Sequence, residues 1–384
     1  MTDKETDLGE MKVKPYSVAP LKLPTEFAEF NADMSVYEKP FVNCAGCENK
    51  NASPRLVEKL AKAIMNHPEL VWDHWNPQDK NLRQKIATLH DVSIDQVFIT
   101  SGAIAGIDYC FKIFGREGTK TGLLKPDWPG FLHYVEFYKN SIQYVENLDF
   151  PFIIDAKKIN DFVKAKEIEL MLFANPVPVN GYLIEEKEIE KLLQINPETL
   201  FVIDEADTVN PRMQSARLAK KYDNVIFLGS LSKFYGLSGL RIGYLITPQK
   251  YAKHFKNTIN VIEVSSLAIL AGNIILEDIE FQEWTQKNVN ESIKLLQEAC
   301  VDTPYEIYAT PNCFACYIYS KNINPKTYLK EQNIKILEGQ YFGLPDHVNG
   351  GRFNLSDPEK TKLVANKVSE LKIVKGGNER KWAY

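Results

Sequence analysis

Five short apolar runs recur between helical stretches: Val97–Thr100, Thr121–Leu124, Leu170–Ala174, Leu200–Ile203 and Val225–Leu228. Each is apolar at consecutive positions, as a strand is when both of its faces are covered. Helical spacing separates them and also precedes them, in Leu56, Leu60, Ile64 and Met65 and over Leu82–Leu89. Strands that alternate with helices fold as βα units around a parallel sheet. The sequence thus predicts an α/β core, to which Gly243–Thr247 adds one more strand.

The pattern changes from about residue 290. A helix is expected over Glu291–Cys300, strands near Tyr305–Tyr308 and Phe314–Tyr319, and a last helix near Pro358–Leu371. That reads as a smaller α+β domain. Prolines at 15, 20, 24 and 40 make the beginning of the chain read as an arm. The expected division is an arm over residues 1–45 that contributes to the small domain, a large domain over 46–285 and a small domain over 286–384. The 384 residues are enough for two such units.

A formal net charge of −4 leaves no basic footprint for nucleic acid. No stretch reaches the roughly 20 apolar residues of a membrane helix. The acidic start, MTDKETDLGE, lacks the order of a secretory signal, so a cytoplasmic protein is expected. Cys44/Cys47 and Cys313/Cys316 form two C-x-x-C pairs. Cys313 and Cys316 fall in a stretch that reads as a strand, where residues three apart point to opposite faces. The pairs read as small apolar residues, not as a metal site.

Ligands of open α/β sheets bind beyond the carboxyl ends of the strands. Those ends carry Ser101-Gly102-Ala103, then Pro126-Asp127-Trp128, Asn175-Pro176, Asp204-Glu205-Ala206-Asp207 and finally Ser230-Leu231-Ser232-Lys233. A cofactor with a ring and a phosphate needs such a set. Lys233 is the candidate to bind pyridoxal 5′-phosphate (PLP), because a lysine in a partly dehydrated pocket reacts with a carbonyl. Ser230, Arg241 and the turn opening a helix at Gly102 offer a hydroxyl, a guanidinium and helix amides to a phosphate. Asp204 is placed to pair with a pyridinium nitrogen. Trp128 would stack on the ring, and Asn175 would donate to its phenolic oxygen. The plainer readings are a turn cap for Asp204, a core tryptophan and an Asn-Pro turn.

The run Ser230-x-Ser232-Lys233-x-x-x-Leu237-x-Gly239-Leu240-Arg241-x-Gly243-Tyr244 resembles that of the fold-type I PLP enzymes. Within them it is similar to the class I/II aminotransferases, histidinol-phosphate aminotransferase-like members in particular, from about Asn43 to about Leu371. The resemblance implies a three-layer, aspartate aminotransferase-like large domain with a mostly parallel sheet, plus the smaller α+β domain. It implies a Schiff base of PLP on Lys233 and transfer of an amino group between an L-amino acid and a 2-keto acid. Asp204, Asn175 and Trp128 keep the roles above, while Ser230, Ser232, Arg241, Gly102 and Ala103, with Ser101, surround the phosphate. Arg352, in GGRFNLSD, matches the arginine that grips the substrate carboxylate, and Gly46 matches a residue near the substrate. A homodimer is implied, with Trp75 and residues 260–266 reaching the neighbouring site.

Three positions depart from the family. Its N-P-x-x-P-T-G is Asn175-Pro-Val-Pro-Val-Asn-Gly181 here. Its cross-subunit tyrosine corresponds to Trp75. Its D-E-A-Y ends in Asp207, and a carboxylate replaces the tyrosine. Asp207 reads either as a helix cap or as a group that recognises a cationic substrate side chain. These departures keep open a PLP-dependent decarboxylase, eliminase or cyclase of the same fold. A non-catalytic binding protein is the other alternative, and the joint presence of Lys233, Asp204, Arg241 and Arg352 argues against it. Gly236, Gly239 and Gly243 do not form G-x-G-x-x-G, and neither a nucleotide P-loop nor H-E-x-x-H occurs.

Overall fold

The computed structural model describes residues 42–46, 48–49, 51–72, 79–211, 215–260 and 262–371. The strands begin with the short β1 (Val42–Asn43) and continue through β2 (Val97–Thr100), β3 (Lys120–Lys125) and β4 (Ser141–Glu146). Then follow β5 (Leu170–Ala174), β6 (Leu200–Asp204), β7 (Val225–Ser230) and β8 (Gly243–Ile246). The seven strands from β2 to β8 form one sheet in the order β2-β8-β7-β6-β5-β3-β4. Every pairing from β7 to β4 is parallel. The strand β8 is antiparallel to both β2 and β7. Only a short loop separates β7 from β8, and a parallel return would need a long crossover. That loop is closed at its base, where the Leu231 N–H donates to the Ile242 carbonyl at 3.1 Å.

Alternate strand residues enter opposite layers, as the pleat requires. Leu170, Leu172 and Ala174 pack with Val202, Ile226 and Leu228 against the helices Gly102–Phe114 and Gly130–Phe137. Met171, Phe173, Phe201, Ile203 and Phe227 fill the other layer, with the helices Ala156–Lys166 and Glu186–Ile195. The consecutive apolar runs are thus double-sided, and each large side chain so buried contributes ~1.5–3 kcal/mol. Strand β4 carries no such run. It is the sheet edge, Val145 alone is buried in it, and its apolar residues are interrupted by polar ones.

A second sheet forms from β9 (Glu306–Ala309), β10 (Ala315–Tyr319), β12 (Leu337–Glu338) and β13 (Gly350–Asn354), in the order β12-β13-β10-β9 and antiparallel throughout. Strand β11 (Ile334–Lys335) pairs in parallel with β1. The Asn354 N–H also donates to the Cys44 carbonyl at 2.9 Å, so residues 44–46 lie along this sheet. Cys313 precedes β10, a correction to its expected place within the strand. Burial pushes its thiol up to about 12 and that of Cys316 up as well, so both stay neutral. The expected junction of the two domains at residues 285–286 falls inside one helix, Ile279–Cys300. Among the described residues no helix is long and apolar enough to cross a membrane.

Candidate active site

The carboxyl ends of β2, β3, β5, β6 and β7 converge under the second sheet on a cavity of about 370 Å³. Ten of the expected residues line it: Gly46, Ala103, Trp128, Asp204, Asp207, Ser230, Ser232, Lys233, Arg241 and Arg352. Ser101 and Gly102 adjoin it without lining it, and Trp75 lies outside the described residues.

At one end of the cavity the helix Gly102–Phe114 begins directly after β2. Gly102 has a φ of +75°, and a Cβ there would stand 2.9 Å from Arg241 Nη2. A Cβ on Gly243 would strike the Gly102 carbonyl carbon at 2.6 Å and the Ala103 nitrogen at 2.7 Å. Two absent side chains therefore let the guanidinium and strand β8 close on the helix start. Arg241 Nη1 donates to the Ser238 carbonyl at 3.0 Å. The Ser230 hydroxyl accepts from the Ser232 N–H at 3.0 Å, and the buried Ser232 hydroxyl has no hydrogen-bond partner among the described residues. The Ser101 N–H donates to Glu263 at 2.8 Å, and the Tyr109 hydroxyl meets the same carboxylate. Glu263 has no motif around it that sequence reasoning could have used.

The middle of the cavity is rich in carboxyls. Asp204, the last residue of β6, accepts from the Ala206 N–H at 2.9 Å. Burial raises its pKa to about 6, Lys233 opposes that rise and Asp207 adds to it. Asp127 is buried as well. It accepts from the Trp128 N–H at 2.7 Å and the Ala174 N–H at 3.1 Å, joining the ends of β3 and β5. Burial pushes it well above the usual carboxylate range despite these bonds, and Asp204 and Asp207 push it further. Asp207 forms an ion pair with Lys233, with side chains 9% and 22% exposed. Asp207, expected among the cofactor-site residues and read as a cap or a contact for a cationic substrate side chain, thus lies on Lys233.

Trp128 forms one wall. Its indole lies edge-on to Phe131 with centroids 5.2 Å apart, over Gly130, where a Cβ would meet the ring at 2.2 Å. Asn175 directly follows β5. Its side-chain amide donates to the Ile184 carbonyl at 3.0 Å, and its oxygen accepts from the Ile184 N–H at 2.7 Å. It is turned into the protein, and Ala174 lines the cavity in its place.

Arg352 closes the far side. It is buried in the middle of β13, opposite Tyr317 and Leu337. Its Nη2 donates to the Ala45 carbonyl at 2.9 Å and its Nη1 to the Pro178 carbonyl at 3.3 Å, and the Phe342 ring lies 5.1 Å from the guanidinium. Its Nε is buried without a partner among the described residues. Pro178 sits in the altered 175–181 loop, which the Gly181 N–H closes onto the Val177 carbonyl at 2.8 Å. Gly46 leaves space that Glu48 fills, since a Cβ at residue 46 would meet that carboxylate at 2.5 Å. Glu48 and Tyr341 also line the cavity, and neither stands out in the sequence.

Comparison with known proteins follows the same outline. Histidinol-phosphate aminotransferase of Clostridium novyi is 27% identical over 286 residues, 74% of this chain and 78% of that protein. The enzyme of that name from Brachyspira hyodysenteriae is 24% identical over 373 residues, 94% of this chain and 96% of its own. The fold is shared with histidinol-phosphate aminotransferase of Sinorhizobium meliloti in complex with pyridoxal-5′-phosphate, at a TM-score of 0.74 and 18% identity, covering 86% of this chain and 90% of that one. It is shared too with L-threonine-O-3-phosphate decarboxylase of Porphyromonas gingivalis, at a TM-score of 0.69 and 20% identity, covering 85% and 98%. The family model for aminotransferase class I and II matches residues 47–368, which include both sheets and every described wall of the cavity except the segment before residue 47. With most of its length matched, the chain belongs to the class I and II aminotransferases.

Proposed function

We propose that this aminotransferase holds PLP at Lys233 and moves an amino group between an L-amino acid and a 2-keto acid. The observation that carries the reading is the gathering of Lys233, Asp204, Ser230, Arg241 and Arg352 around one cavity. The residues fit the cofactor on two counts. The Arg241 guanidinium lies against the helix start at Gly102, and a helix start and a guanidinium both favour an anion such as a phosphate. The buried Ser232 hydroxyl, without a partner among the described residues, is a polar atom that a ligand could satisfy.

In this reading PLP supplies an aldehyde for an amine and a ring that withdraws electrons from the substrate Cα. The chain's own residues do the rest. Asp204, costly to ionise because it is buried, would gain a cationic partner at the ring nitrogen. Arg352 would receive the substrate carboxylate on its guanidinium, whose plane Ala45 and Pro178 fix. The amine of Lys233 would be the base that takes the substrate Cα proton and later returns it. Trp128 shields the ring from water. Cofactor and substrate then lie between the two sheets. A homodimer belongs to the same reading.

A decarboxylase shares this fold, and a carboxylate at residue 207 departs from the family, so the reaction is tested directly. The purified protein with PLP is mixed with single L-amino acids. Bleaching of the cofactor's visible band by one of them, reversed by a keto acid, is expected. Release of carbon dioxide with no reversal would replace the aminotransferase reading.

A further inference from the structure

The pairing of Asp207 with Lys233 supports more than a place in the cavity wall, given the cofactor reading above. We propose that the Asp207 carboxylate is the counter-ion of the Lys233 nitrogen and keeps a proton on it after the cofactor is attached. Asp207 is then a positioning residue that acts through Lys233.

The geometry is held from both sides. Asp207 follows β6 and Lys233 follows β7, the neighbouring parallel strand. The Thr208 N–H donates to the Glu205 carbonyl at 3.2 Å, and the Val209 N–H donates to the Asn312 carbonyl at 2.8 Å. Residue 208 also bridges to Cys313. The backbone on either side of Asp207 is thereby tied to the large sheet and to the loop before β10. Its carboxylate is buried, so solvent screens its charge little.

The groups facing the pair sharpen the argument. Asp204 and Asp127 stand beside it, both shifted toward their neutral forms. Cys313 is a neutral thiol against Asp207. Arg352, Arg241 and Glu48 line the same cavity. Arg352 is engaged by carbonyls and Arg241 turns toward the helix start, so Lys233 is the cation that meets Asp207. The chemistry differs from that of the tyrosine found here in the family. A phenol donates a hydrogen bond, whereas a carboxylate only accepts and carries charge. A fixed anion favours the cationic N–H form of its neighbour.

The test titrates the visible band of the holoenzyme with pH for the wild type, Asp207→Asn and Asp207→Glu. Borohydride reduction and mass spectrometry first confirm that each carries the cofactor on Lys233. The midpoint for Asp207→Asn is expected to fall by at least about one pH unit, a tenfold weaker hold on the proton, with Asp207→Glu near wild type. Coincident midpoints for Asn and wild type would overturn the proposal. A second measurement needs no cofactor and covers a failure of the Asn variant to fold. An amine-reactive label on apoprotein Lys233 at neutral pH should react about tenfold faster in Asp207→Ser than in wild type. Equal rates would also overturn it. Wild-type protein in which borohydride fixes nothing on Lys233 would instead sink the cofactor reading, and the role on the attached nitrogen with it.

Discussion

The Asp207 carboxylate lies against the Lys233 amine, so the nitrogen proposed to hold the cofactor is paired with an anion. An ammonium in such a pair has no free electron pair, and it must shed its proton before it can attack an aldehyde. Reconstitution of the apoprotein with PLP should therefore quicken as pH rises from 6 to 9. Stopped-flow absorbance at fixed PLP concentration measures it. A rate that does not change with pH would mean that the pair does not control access to the amine.

Asp204 sets stability against function. Its folded pKa of about 6 exceeds the ordinary 3.8. Its contribution to stability is therefore fully present below about 3.8 and is lost as pH rises through about 6. Asp204→Asn should leave the apoprotein more stable than wild type at pH 8, by on the order of 2 kcal/mol, with the difference vanishing near pH 4. The same variant should bind PLP more weakly. Denaturant melts at the two pH values and a PLP titration check both halves. An Asn variant less stable at pH 8 would show that burial does not strain the carboxylate.

Arg352 offers a fork that lysine lacks. Arg352→Lys keeps the charge but cannot satisfy Ala45, Pro178 and a substrate carboxylate together. Loss of one charged hydrogen bond costs ~1.5–3 kcal/mol. The expected result is a rise of roughly 10–100-fold in KM for the amino donor, with a smaller change in kcat. An unchanged KM would move the carboxylate contact to another residue.

Gly102 is tested by a single methyl group. Its φ of +75° disfavours alanine, and the new Cβ would press on Arg241 Nη2. Gly102→Ala should destabilise the chain by ~1 kcal/mol and lower PLP affinity by more than that loss alone explains. Equilibrium dialysis of PLP beside thermal melts separates the two effects. Unaltered affinity would place the phosphate elsewhere.

Residue types were more legible in the sequence than directions. The five predicted strands stand out because their apolar residues are consecutive, while β4 does not, because polar residues interrupt its apolar ones and only Val145 is buried. The helix Ile279–Cys300 begins 12 residues before the expected Glu291. Its early buried face includes Thr285 and Asn288, polar residues that break the apolar period. Lys233, Asp204, Ser230, Arg241 and Arg352 could be picked out because each follows a strand or sits in a dense motif. Asn175 could be named but not aimed, since its turn inward depends on the Ile184 backbone nine residues away. Glu263 was invisible for the same reason, because what it touches lies 162 residues from it.

The closed base of the loop between β7 and β8 has an evolutionary corollary. Leu231 and Ile242 clasp each other, so Lys233 and Arg241 ride on one tethered segment whose two ends cannot move apart. The distance between Lys233 and Arg241 is thus a property of a single piece of chain. Drift elsewhere in the protein leaves that spacing untouched, whereas one inserted or deleted residue inside the clasp would put both contacts out of step at once. Such a segment would be inherited whole or lost whole, which suits it to outlast changes in the residues that choose the substrate.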